Sequence, residues 1–366
     1  MKIAIDAHFV GVRHGGNEVH FENLIRHLAR MASGGDEYFV FTYQCAARSR
    51  LDEQRLTFIP LRSRSVLWQR AVEIPRHTHR LDVDLLHVPF NYLPAHRCRK
   101  VVTIHDLGFL RFPETYAALE RARMAWLTRF AARHADHVFT GSHAAKAEIM
   151  AEYHIDESRV SVTPSAADQA SFRPLAPDEI TSFRKRRGLP FPYILFVGTI
   201  QPRKNVVALL RAFHRLRSRR YEHRLVLVGR RGWRADAVFQ FITEHGLSDV
   251  VHHFDDVDVA ELPRFYNAAT LFAYPSLYEG FGMPILEAMS CGCPVVSANT
   301  SSLPEVYGDA ALTFDPHDAG ALAERMIEVV EDGELRAQLQ RRGFVNCSRF
   351  SWARTADVVH TVYHTL

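Results

Sequence analysis

The sequence of 366 residues predicts an α/β fold made of two successive doubly wound domains that face each other across a cleft. Three observations predict it. Short apolar strands alternate with amphipathic helices in both halves, which is typical of a parallel sheet covered by helices. A stretch rich in proline and small residues, Val160–Pro177, interrupts this alternation and indicates a linker. The chain is also too long for one ordinary hydrophobic core.

The first half opens with a strand at Lys2–Ala7, a loop that contains Gly15 and Gly16, and an amphipathic helix. The helix is predicted because apolar residues between Val19 and Leu28 recur near helical spacing. We place the first domain at residues 1–172. The further strands predicted in it are Glu37–Tyr43, Asp84–Pro89, Lys100–Asp106 and His137–Ser142, and Glu120–His134 is predicted to be helical.

The alternation restarts after the linker, and we place the second domain at residues 173–350. Its predicted strands are Tyr193–Thr199, His223–Gly229, Leu271–Ser276 and Pro294–Asn299. Its predicted helices are Asn205–Ser218, Val259–Ala269, Met283–Gly292 and two more within Gly320–Phe344. Because ligands of such sheets bind beyond the carboxyl ends of the strands, polar residues at these ends are the candidate site.

Composition narrows the class of protein. The chain is 47% hydrophobic and 23% charged, and no segment approaches the ~20 apolar residues of a membrane span. The N-terminus lacks the long apolar core of a signal peptide. Five scattered cysteines without a C-x-x-C pair argue against a disulfide framework and a zinc knuckle. We therefore expect a cytoplasmic protein, and we expect its 21 histidines to bind no metal.

Positive charge is concentrated in the first half, with sixteen Lys/Arg against eight Asp/Glu between Arg48 and Arg133. Two segments there, Leu61–Arg80 and Glu120–His134, mix arginines with tryptophan and aliphatic residues. Such segments can lie on an anionic membrane surface, so peripheral membrane association is one interpretation. An ordinary solvated helix face is the other. Nucleic acid is not expected as a partner, since no known binding motif appears.

The first segment with chemistry is "FVGTIQPRKNV", where a strand ends at Gly198 and Arg203 and Lys204 precede a helix. Arginine is a planar fork that matches two phosphate oxygens, and lysine is a compact point charge. Both would lie near a helix N-terminus, which also favours anions. The segment suits a diphosphate, although an exposed Arg-Lys pair is the plain alternative.

The second segment is "YEGFGMPILE", which carries Glu279 and Glu287 on either side of a strand–loop–helix turn. Glycines let the backbone approach a ligand, and amides at the helix start would face outward as an anion site. Glu287 could bind two vicinal hydroxyls, and Glu279 would reach another part of the ligand. A nucleotide sugar fits this arrangement. The residues of this predicted site are Glu279, Gly280, Phe281, Gly282, Met283 and Glu287.

Two weaker signals lie in the first half. Gly16 stands in a loop before a helix and could approach a phosphate. His105 and Asp106 end a predicted strand, where the histidine could hydrogen-bond a sugar hydroxyl or take part in proton transfer. A structural polar pair is the alternative for these two residues.

The ordered set of motifs resembles glycosyltransferase family 4, the retaining glycosyltransferases of the GT-B fold. "EGFGMPILE" matches their E-x7-E signature, and "VGTIQPRKN", "TIHDLGFLRFPETY", "GSHAAKAEI" and "FRPL" extend the likeness along nearly the whole chain. The "HDL…PETY" stretch is most similar to bacterial mannosyltransferases that build O-antigen and exopolysaccharide. By this resemblance residues 351–366 form a helix that crosses back to the N-terminal domain.

The resemblance implies roles. Glu279 would contact the donor sugar and Glu287 the ribose, while Arg203 and Lys204 would hold the diphosphate, helped by amides at Gly16 and at Phe281–Met283. His105 would lie beside the transferred sugar. It also implies retention by same-face attack without a metal, so that "DVD" at Asp256–Asp258 is not expected to bind one. The expected acceptor is a glycan or a polyprenyl-diphosphate-linked glycan.

One departure concerns the base. Family members usually carry a glycine and an aromatic residue where this chain has Asp255 and Asp256. A carboxylate at Asp256 could accept from the N1–H and amine of guanine, which favours GDP-mannose over a UDP-sugar. The alternatives kept open are a UDP-sugar-dependent transferase, a phosphorylase or epimerase of the same fold, and a non-catalytic nucleotide-sugar-binding protein.

Overall fold

The structure is a computed structural model that describes residues 1–11, 15–31, 35–43, 51, 55–63, 65–92 and 97–366. The chain divides into two compact units. Unit 1 comprises Met1–Ser165 and Ser351–Leu366, and unit 2 comprises Ala166–Phe350. The division after Ser165 falls seven residues before the boundary expected after residue 172.

Unit 1 is built on a seven-stranded parallel sheet in the order β3-β2-β1-β4-β5-β6-β7. Its central strands are buried, because β1 and β4 carry nearly continuous apolar residues, as strands covered on both faces must. The strands are β1 (Lys2–Asp6), β2 (Glu37–Thr42), β3 (Leu56–Pro60), β4 (Leu85–Pro89), β5 (Arg99–Thr103), β6 (His137–Thr140) and β7 (Val160–Val162).

The helices of unit 1 cover this sheet. They are α1 (Gly16–Met31), α2 (Val66–Trp68), a π-helical turn (Gln69–Glu73), α3 (Ile74–Leu81), α4 (Gly108–Arg111), α5 (Ala118–His134) and α6 (His143–Tyr153). Two 3-10 turns lie at Pro113–Thr115 and Glu157–Arg159. No helix among the described residues is both long and apolar enough to cross a bilayer.

The last helix of the chain, α15 (Trp352–Thr365), packs into unit 1 although its sequence follows unit 2. Ala356, Val359 and Tyr363 belong to the same buried cluster as Ile3 and Ile5 of β1. The hydroxyl of Tyr363 lies 2.5 Å from Nδ1 of the buried His87. These contacts fix both the position of α15 on the unit and its rotation.

Unit 2 is built on a six-stranded parallel sheet in the order β10-β9-β8-β11-β12-β13. Its strands are β8 (Tyr193–Val197), β9 (Arg224–Val228), β10 (Val251–Phe254), β11 (Leu271–Tyr274), β12 (Val295–Ala298) and β13 (Ala311–Phe314). Its helices are α7 (Pro177–Arg187), α8 (Val206–Ser218), α9 (Asp236–Glu244), α10 (Leu262–Ala268), α11 (Met283–Ser290), α12 (Leu303–Tyr307), α13 (Ala319–Glu331) and α14 (Gly333–Cys347).

Two predicted boundaries are wrong. The first three residues of the predicted linker form β7, which pairs in parallel with β6 at the edge of the sheet. The strand predicted to reach Asp106 ends at Thr103, so His105 and Asp106 lie in the loop beyond it. Both errors leave the prediction of two α/β units with parallel sheets intact, and that prediction is confirmed.

Candidate active site

The candidate site of unit 2 lies where the order of its sheet reverses. Strands β8 and β11 are neighbours at the centre of the sheet, although β9 and β10 lie between them in sequence. Ligands of doubly wound sheets bind at such a switch point, beyond the carboxyl ends of the two strands. The loops after these strands, 198–205 and 275–282, carry both of the motifs singled out in the sequence.

Glu279 is the shared counter-ion of the two predicted phosphate ligands. Its Oε2 accepts a hydrogen bond from Arg203 Nη1 at 2.8 Å, and its Oε1 accepts one from Lys204 Nζ at 2.6 Å. The hydroxyl of Tyr274, the last residue of β11, donates to the same Oε1 at 2.9 Å and accepts from Lys204 Nζ at 2.9 Å. Glu279 is only 8% exposed, so the cluster is largely shielded from water.

The neighbouring cations determine the protonation state of Glu279. Burial alone would raise the pKa of Glu279, but Arg203 and Lys204 outweigh burial and hold that pKa at about 2. The carboxylate is therefore ionised throughout the physiological range. Two cations against one anion leave the cluster with a net positive charge beside a strand end, which suits an anionic ligand.

The two loops are fastened to each other at Asn205. This residue adopts a left-handed backbone with φ 54°, which asparagine tolerates better than most residues. Its Nδ2 donates to the carbonyl oxygen of Pro275 at 3.1 Å and to that of Pro316 at 2.8 Å. The amide of Leu277 donates to the Arg203 carbonyl at 2.8 Å. The cations and Glu279 are therefore held by cross-linked backbone.

Gly198 borders this cluster directly. It follows β8 with φ 151°, and its amide donates to the Val228 carbonyl of the neighbouring strand at 2.9 Å. A Cβ added at Gly198 would lie 3.7 Å from Cε of Lys204. The predicted glycine therefore lies beside the lysine, and its backbone conformation, which side chains rarely adopt, is what favours glycine there.

The segment from Gly280 to Met283 forms a turn that leads into α11. Gly282 has φ 111°, and a Cβ there would come within 2.7 Å of Leu303 Cδ2, so glycine is required. Ser302 Oγ lies 2.8 Å from the carbonyl oxygen of Glu279 and 2.9 Å from that of Phe281, and its single proton is shared between them. With those carbonyls bonded from behind, the turn is fixed, and α11 begins at Met283 with Pro284 in its first turn.

Glu287 lies on the second turn of α11 in an environment opposite to that of Glu279. It is 7% exposed, and its Oε2 accepts a hydrogen bond from the Tyr266 hydroxyl at 3.0 Å. Burial raises the pKa of Glu287 to about 7, because the single hydrogen bond from Tyr266 offsets only part of the desolvation. Near neutral pH this carboxyl group is therefore divided between its two protonation states.

His105 of unit 1 lies in a cluster of buried aromatic rings. Its ring centroid is 4.7 Å from that of His20 and 5.8 Å from that of Phe90. Burial lowers the pKa of His105 to about 4, although Asp106 opposes the shift. Its Nε2 is buried without a hydrogen-bond partner among the described residues. The ring is neutral at physiological pH and has one nitrogen available for a ligand.

Gly16 is the first residue of α1, directly after Gly15, which has φ 73°. The sequence predicts Gly16 in the loop before this helix, whereas in the structure Gly16 begins the helix itself. Residues 12–14 of the preceding loop lie outside the described residues, so the predicted phosphate loop is described only on either side of them.

Asp256 lies on the surface beyond β10, the edge strand of the sheet in unit 2. Its neighbour Asp255 accepts a hydrogen bond from the Arg231 amide at 3.2 Å. Asp258, the other carboxylate of the D-x-D sequence, accepts from the Ala260 amide at 2.9 Å and caps the 3-10 turn Val259–Glu261. One of the two carboxylates therefore has a local structural role.

The sequence predicts the charged residues of the cluster but not their partners. Tyr274 and Tyr266 contact Glu279 and Glu287 respectively, and Asn205 fastens the loops. Tyr274 lies within the predicted strand Leu271–Ser276, and Asn205 directly follows the Arg-Lys pair, so both lie close to residues that the sequence singles out. Tyr266 lies on another helix, 21 residues before Glu287, and nothing local in the sequence indicates the contact.

Two family models match the chain, one in each unit. The model described as "Glycosyltransferase Family 4" matches residues 14–170, and that described as "Glycosyl transferases group 1" matches residues 178–344. The O-antigen chain mannosyltransferase B of Escherichia coli is 35% identical over 285 residues, which cover 77% of this chain and 74% of that protein. The serotype-specific mannosyltransferase WbdA of Escherichia coli is 30% identical over 269 residues, 71% of this chain but only 32% of that longer one.

Solved structures share the fold over the whole chain. Anabaena Alr3699/HepE in complex with UDP and glucose superposes with a TM-score of 0.81 at 20% identity, and covers 100% of both chains. Sucrose-phosphate synthase from Thermosynechococcus elongatus gives a TM-score of 0.80 at 20% identity, over 100% of this chain and 98% of that one.

The fold is that of the GT-B glycosyltransferases. With matching models in both units and a relative at 35% identity, the chain belongs to glycosyltransferase family 4. The prediction of a glycosyltransferase with this fold, drawn from the E-x7-E and Arg-Lys motifs, is confirmed.

Proposed function

We propose that this glycosyltransferase moves a mannosyl group from GDP-mannose to a lipid-linked or growing glycan, with retention of the anomeric configuration. The observation that carries the proposal is the buried cluster of Glu279, Arg203 and Lys204 at the switch point of unit 2. Mannose is favoured because two relatives that cover 70% or more of this chain are mannosyltransferases. The role of the product in cell-surface polysaccharide synthesis is part of the same proposal.

In this proposal the two cations bind the donor diphosphate. Arg203 offers a planar pair of donors and Lys204 a point charge, and both are already held in place by Glu279. As the bond between the sugar and the phosphate breaks, negative charge grows on the departing diphosphate. Prearranged cations stabilise that charge more in the transition state than in the bound donor, which accelerates the reaction.

The remaining donor contacts follow from the positions of the two glutamates. Glu287, on α11, accepts from the ribose hydroxyls, and Glu279 accepts from hydroxyls of the transferred sugar. The turn at Gly280 and Gly282 brings backbone close to the phosphates, and the amides of Phe281 and Met283 donate to them. Gly198 places backbone beside Lys204 at the end of β8, and Gly16 adds an amide from the start of α1.

We assign His105 a hydrogen bond to the transferred sugar through its unpartnered Nε2. The acceptor hydroxyl attacks the anomeric carbon on the face from which the diphosphate leaves. A new bond forms between that carbon and the acceptor oxygen, the bond to the phosphate oxygen breaks, and a phosphate oxygen takes the acceptor proton. The residues therefore position and stabilise, and no side chain has to act as the base.

Guanine is favoured over uracil through Asp256, whose carboxylate offers two acceptor oxygens to the N1–H and amine of the base. A specific observation keeps the UDP-sugar alternative open, since the Anabaena structures that share the fold hold UDP, UDP and glucose, or UDP-glucose. At 20% identity these structures show the shared fold, and the base that this chain binds has to be measured.

Unit 1 is proposed to bind the acceptor and to rest on the inner face of the plasma membrane, where a polyprenyl-diphosphate-linked glycan would be presented. The support is α5, which exposes 85% of Leu119 and 62% of Trp126 to solvent and carries arginines along the same face. Apolar side chains flanked by cations suit the interface of an anionic bilayer.

A panel of GDP- and UDP-sugars tests the donor. A ligand that binds only the folded state raises the melting temperature, so GDP-mannose should give the largest rise, and it should be consumed when acceptor is added. A larger rise with a UDP-sugar would establish the alternative donor. Binding without turnover on any acceptor would favour a non-catalytic protein, and the absence of any rise across the panel would overturn the proposal.

A further inference from the structure

Away from the switch point, unit 1 brings one aspartate and two histidines together. Asp36 lies directly before β2, and His360 and His364 lie on α15. One ligand atom from each residue lies within 4.8 Å of the others, and among the residues the structure describes this is the one such group of three or more His, Cys, Asp or Glu. The sequence does not indicate it, because Asp36 and His360 are 324 positions apart.

The fold explains why these side chains meet. His360 and His364 are four residues apart, so they lie on one face of α15, and their ring centroids are 4.4 Å apart. Burial of Ala356, Val359 and Tyr363 in the core fixes the rotation of the helix and turns that face toward Asp36. Asp36 is held by the pairing of β2 with β1, in which Glu37 lies opposite Lys2.

The distances match those of a metal site. Oδ2 of Asp36 lies 3.2 Å from His360 Nε2 and 3.1 Å from His364 Nε2. Ligand atoms around a tetrahedral ion with bonds of about 2.0 Å are about 3.3 Å apart, so both oxygen–nitrogen distances already suit an ion. The two nitrogens lie within 4.8 Å of each other, and rotation of the exposed His364 ring could bring them to the same spacing. The Asp36 side chain is 5% exposed, whereas that of His364 is 42% exposed and leaves an approach from solvent.

We propose that Asp36, His360 and His364 bind a divalent transition-metal ion of the Zn²⁺ type, and that the ion fastens α15 to the sheet of unit 1. Two imidazoles and one carboxylate suit zinc and its neighbours in the first transition row, whereas Mg²⁺ and Ca²⁺ prefer oxygen ligands alone. Asp36 precedes its strand, so the site is at the amino edge of the sheet, opposite the carboxyl edge where ligands of such sheets bind. Three protein ligands leave the fourth position of a tetrahedral ion to water. Because the site lies away from the carboxyl edge, we assign the ion a role in fastening α15 rather than in catalysis.

Another cationic group already contacts the second oxygen of this aspartate. The amino group of Met1 lies 3.3 Å from Asp36 Oδ1, the oxygen that the histidines do not use. The ion and the amino group can therefore share the carboxylate, one on each oxygen. Without metal, the two imidazoles instead act as hydrogen-bond donors to Oδ2, and the experiment has to separate these two states.

The test is a titration of the full, tag-free chain with ZnCl₂ by calorimetry, together with thermal melting with and without Zn²⁺. We expect one Zn²⁺ per chain, a higher melting temperature in its presence, and visible absorption bands of tetrahedral coordination when Co²⁺ replaces it. The double variant His360→Gln/His364→Gln should bind Zn²⁺ at least about tenfold more weakly and lose the temperature rise, because two ligands are gone.

The matched control is His134→Gln, which removes an exposed histidine from the last turn of α5 in the same unit and should behave like wild type. If the double variant fails to fold, the single variant His364→Gln, at a more exposed position, should still weaken binding. Absence of stoichiometric binding to wild type, or equal binding by wild type and the histidine variants, would overturn the proposal.

Discussion

At the scale of single residues, the two glutamates of the E-x7-E motif differ in charge because they differ in neighbours. Both are buried, yet the pKa of Glu279 is held at about 2 and that of Glu287 is raised to about 7. Arg203 and Lys204 compensate the first carboxylate, whereas the second has a tyrosine hydroxyl as its hydrogen-bond partner. The two positions therefore respond differently to substitution and to pH.

Glu279→Gln should separate phosphate binding from sugar transfer. The change keeps the shape of the side chain but removes the negative charge between Arg203 and Lys204, so the cluster becomes more positive. Free GDP should therefore bind as tightly as before or more tightly, while turnover falls by about 10²-fold, in line with the loss of a prearranged contact in the transition state. Calorimetry with GDP and steady-state transfer assays measure the two effects.

The control for this variant is Glu261→Gln, which removes the carboxylate paired with Arg187 on the surface of the same unit and should leave both quantities unchanged. A parallel loss of GDP affinity and turnover in Glu279→Gln would contradict the assignment, because it would mean that the cluster had collapsed.

Glu287 should make donor binding depend on pH near neutrality. The ionised carboxylate is the form that accepts from two ribose hydroxyls, and the pKa of Glu287 in the folded protein is about 7. Donor affinity should therefore be about tenfold lower at pH 6 than at pH 8, since a proton has to leave below the pKa. Calorimetry with the donor across this range measures the effect, and Glu287→Gln should bind more weakly at every pH with a flat profile.

Ionisation of Glu287 should lower the stability of the free protein as the pH rises, although it increases donor affinity. A carboxyl group whose pKa is raised from 4.5 in the unfolded chain to about 7 on folding stabilises the folded state below pH 4.5. That contribution is lost as the pH rises toward 7.

A donor affinity that does not change between pH 6 and 8 in wild type would contradict the role given to Glu287 in donor binding.

The sequence predicts the charged residues of this candidate site but not the contacts between them. Arg203, Lys204 and Glu279 were each predicted to touch the donor, but their mutual ion pairs depend on two loops that are 75 residues apart in sequence. The parallel pairing of β8 with β11 brings these loops together, and only the order of strands in the sheet reveals it.

At the scale of elements, the strands that the residues do not predict lie at sheet edges. β3 and β7 end the sheet of unit 1, and β10 and β13 end that of unit 2. Their residues are mostly half-buried or exposed, so they lack the apolar run that identifies a central strand. The central strands β1, β4, β8 and β11, which position the candidate residues, all fall within segments predicted as strands.

The turn into α11 should tolerate no side chain at Gly282. Alanine there has to adopt φ 111° and place its Cβ 2.7 Å from Leu303 Cδ2, so both strain and a clash oppose it. We expect Gly282→Ala to lower the free energy of unfolding by about 2–3 kcal/mol and to weaken donor binding, because the turn carries Phe281 and Met283. Chemical denaturation followed by calorimetry measures both.

Gly188→Ala is the matched control for this prediction. Gly188 has φ 65°, which alanine reaches at modest cost, and no atom lies within 4 Å of an added Cβ. It should lose only about 1 kcal/mol and leave donor binding unchanged. An equal decrease in the free energy of unfolding for the two variants would mean that the contact with Leu303 does not contribute to the cost of Gly282→Ala.

At the scale of the whole molecule, the chain order and the structural units do not coincide. Residues 351–366 follow unit 2 in sequence but pack into the core of unit 1 through Trp352 and Tyr363, both of which contact histidines of that unit. The resemblance to family 4 implies both this helix and its destination, and the residues alone predict neither. Packing of this kind depends on complementarity between distant surfaces, which local periodicity does not encode.

The basic character of unit 1 has a consequence for the whole enzyme if its acceptor is lipid-linked. Trp126 and Leu119 are exposed on α5 together with Arg123 and Arg133. The chain should sediment with liposomes that contain anionic lipid, and binding should weaken as salt screens the arginines. Trp126→Ala should lower the bound fraction, because an amphipathic ring at the interface is lost.

Trp233→Ala, which removes an exposed tryptophan from unit 2, is the control and should bind like wild type. Sedimentation that ignores anionic lipid and salt would contradict an electrostatic membrane surface, and equal binding by the two tryptophan variants would place the contact away from α5.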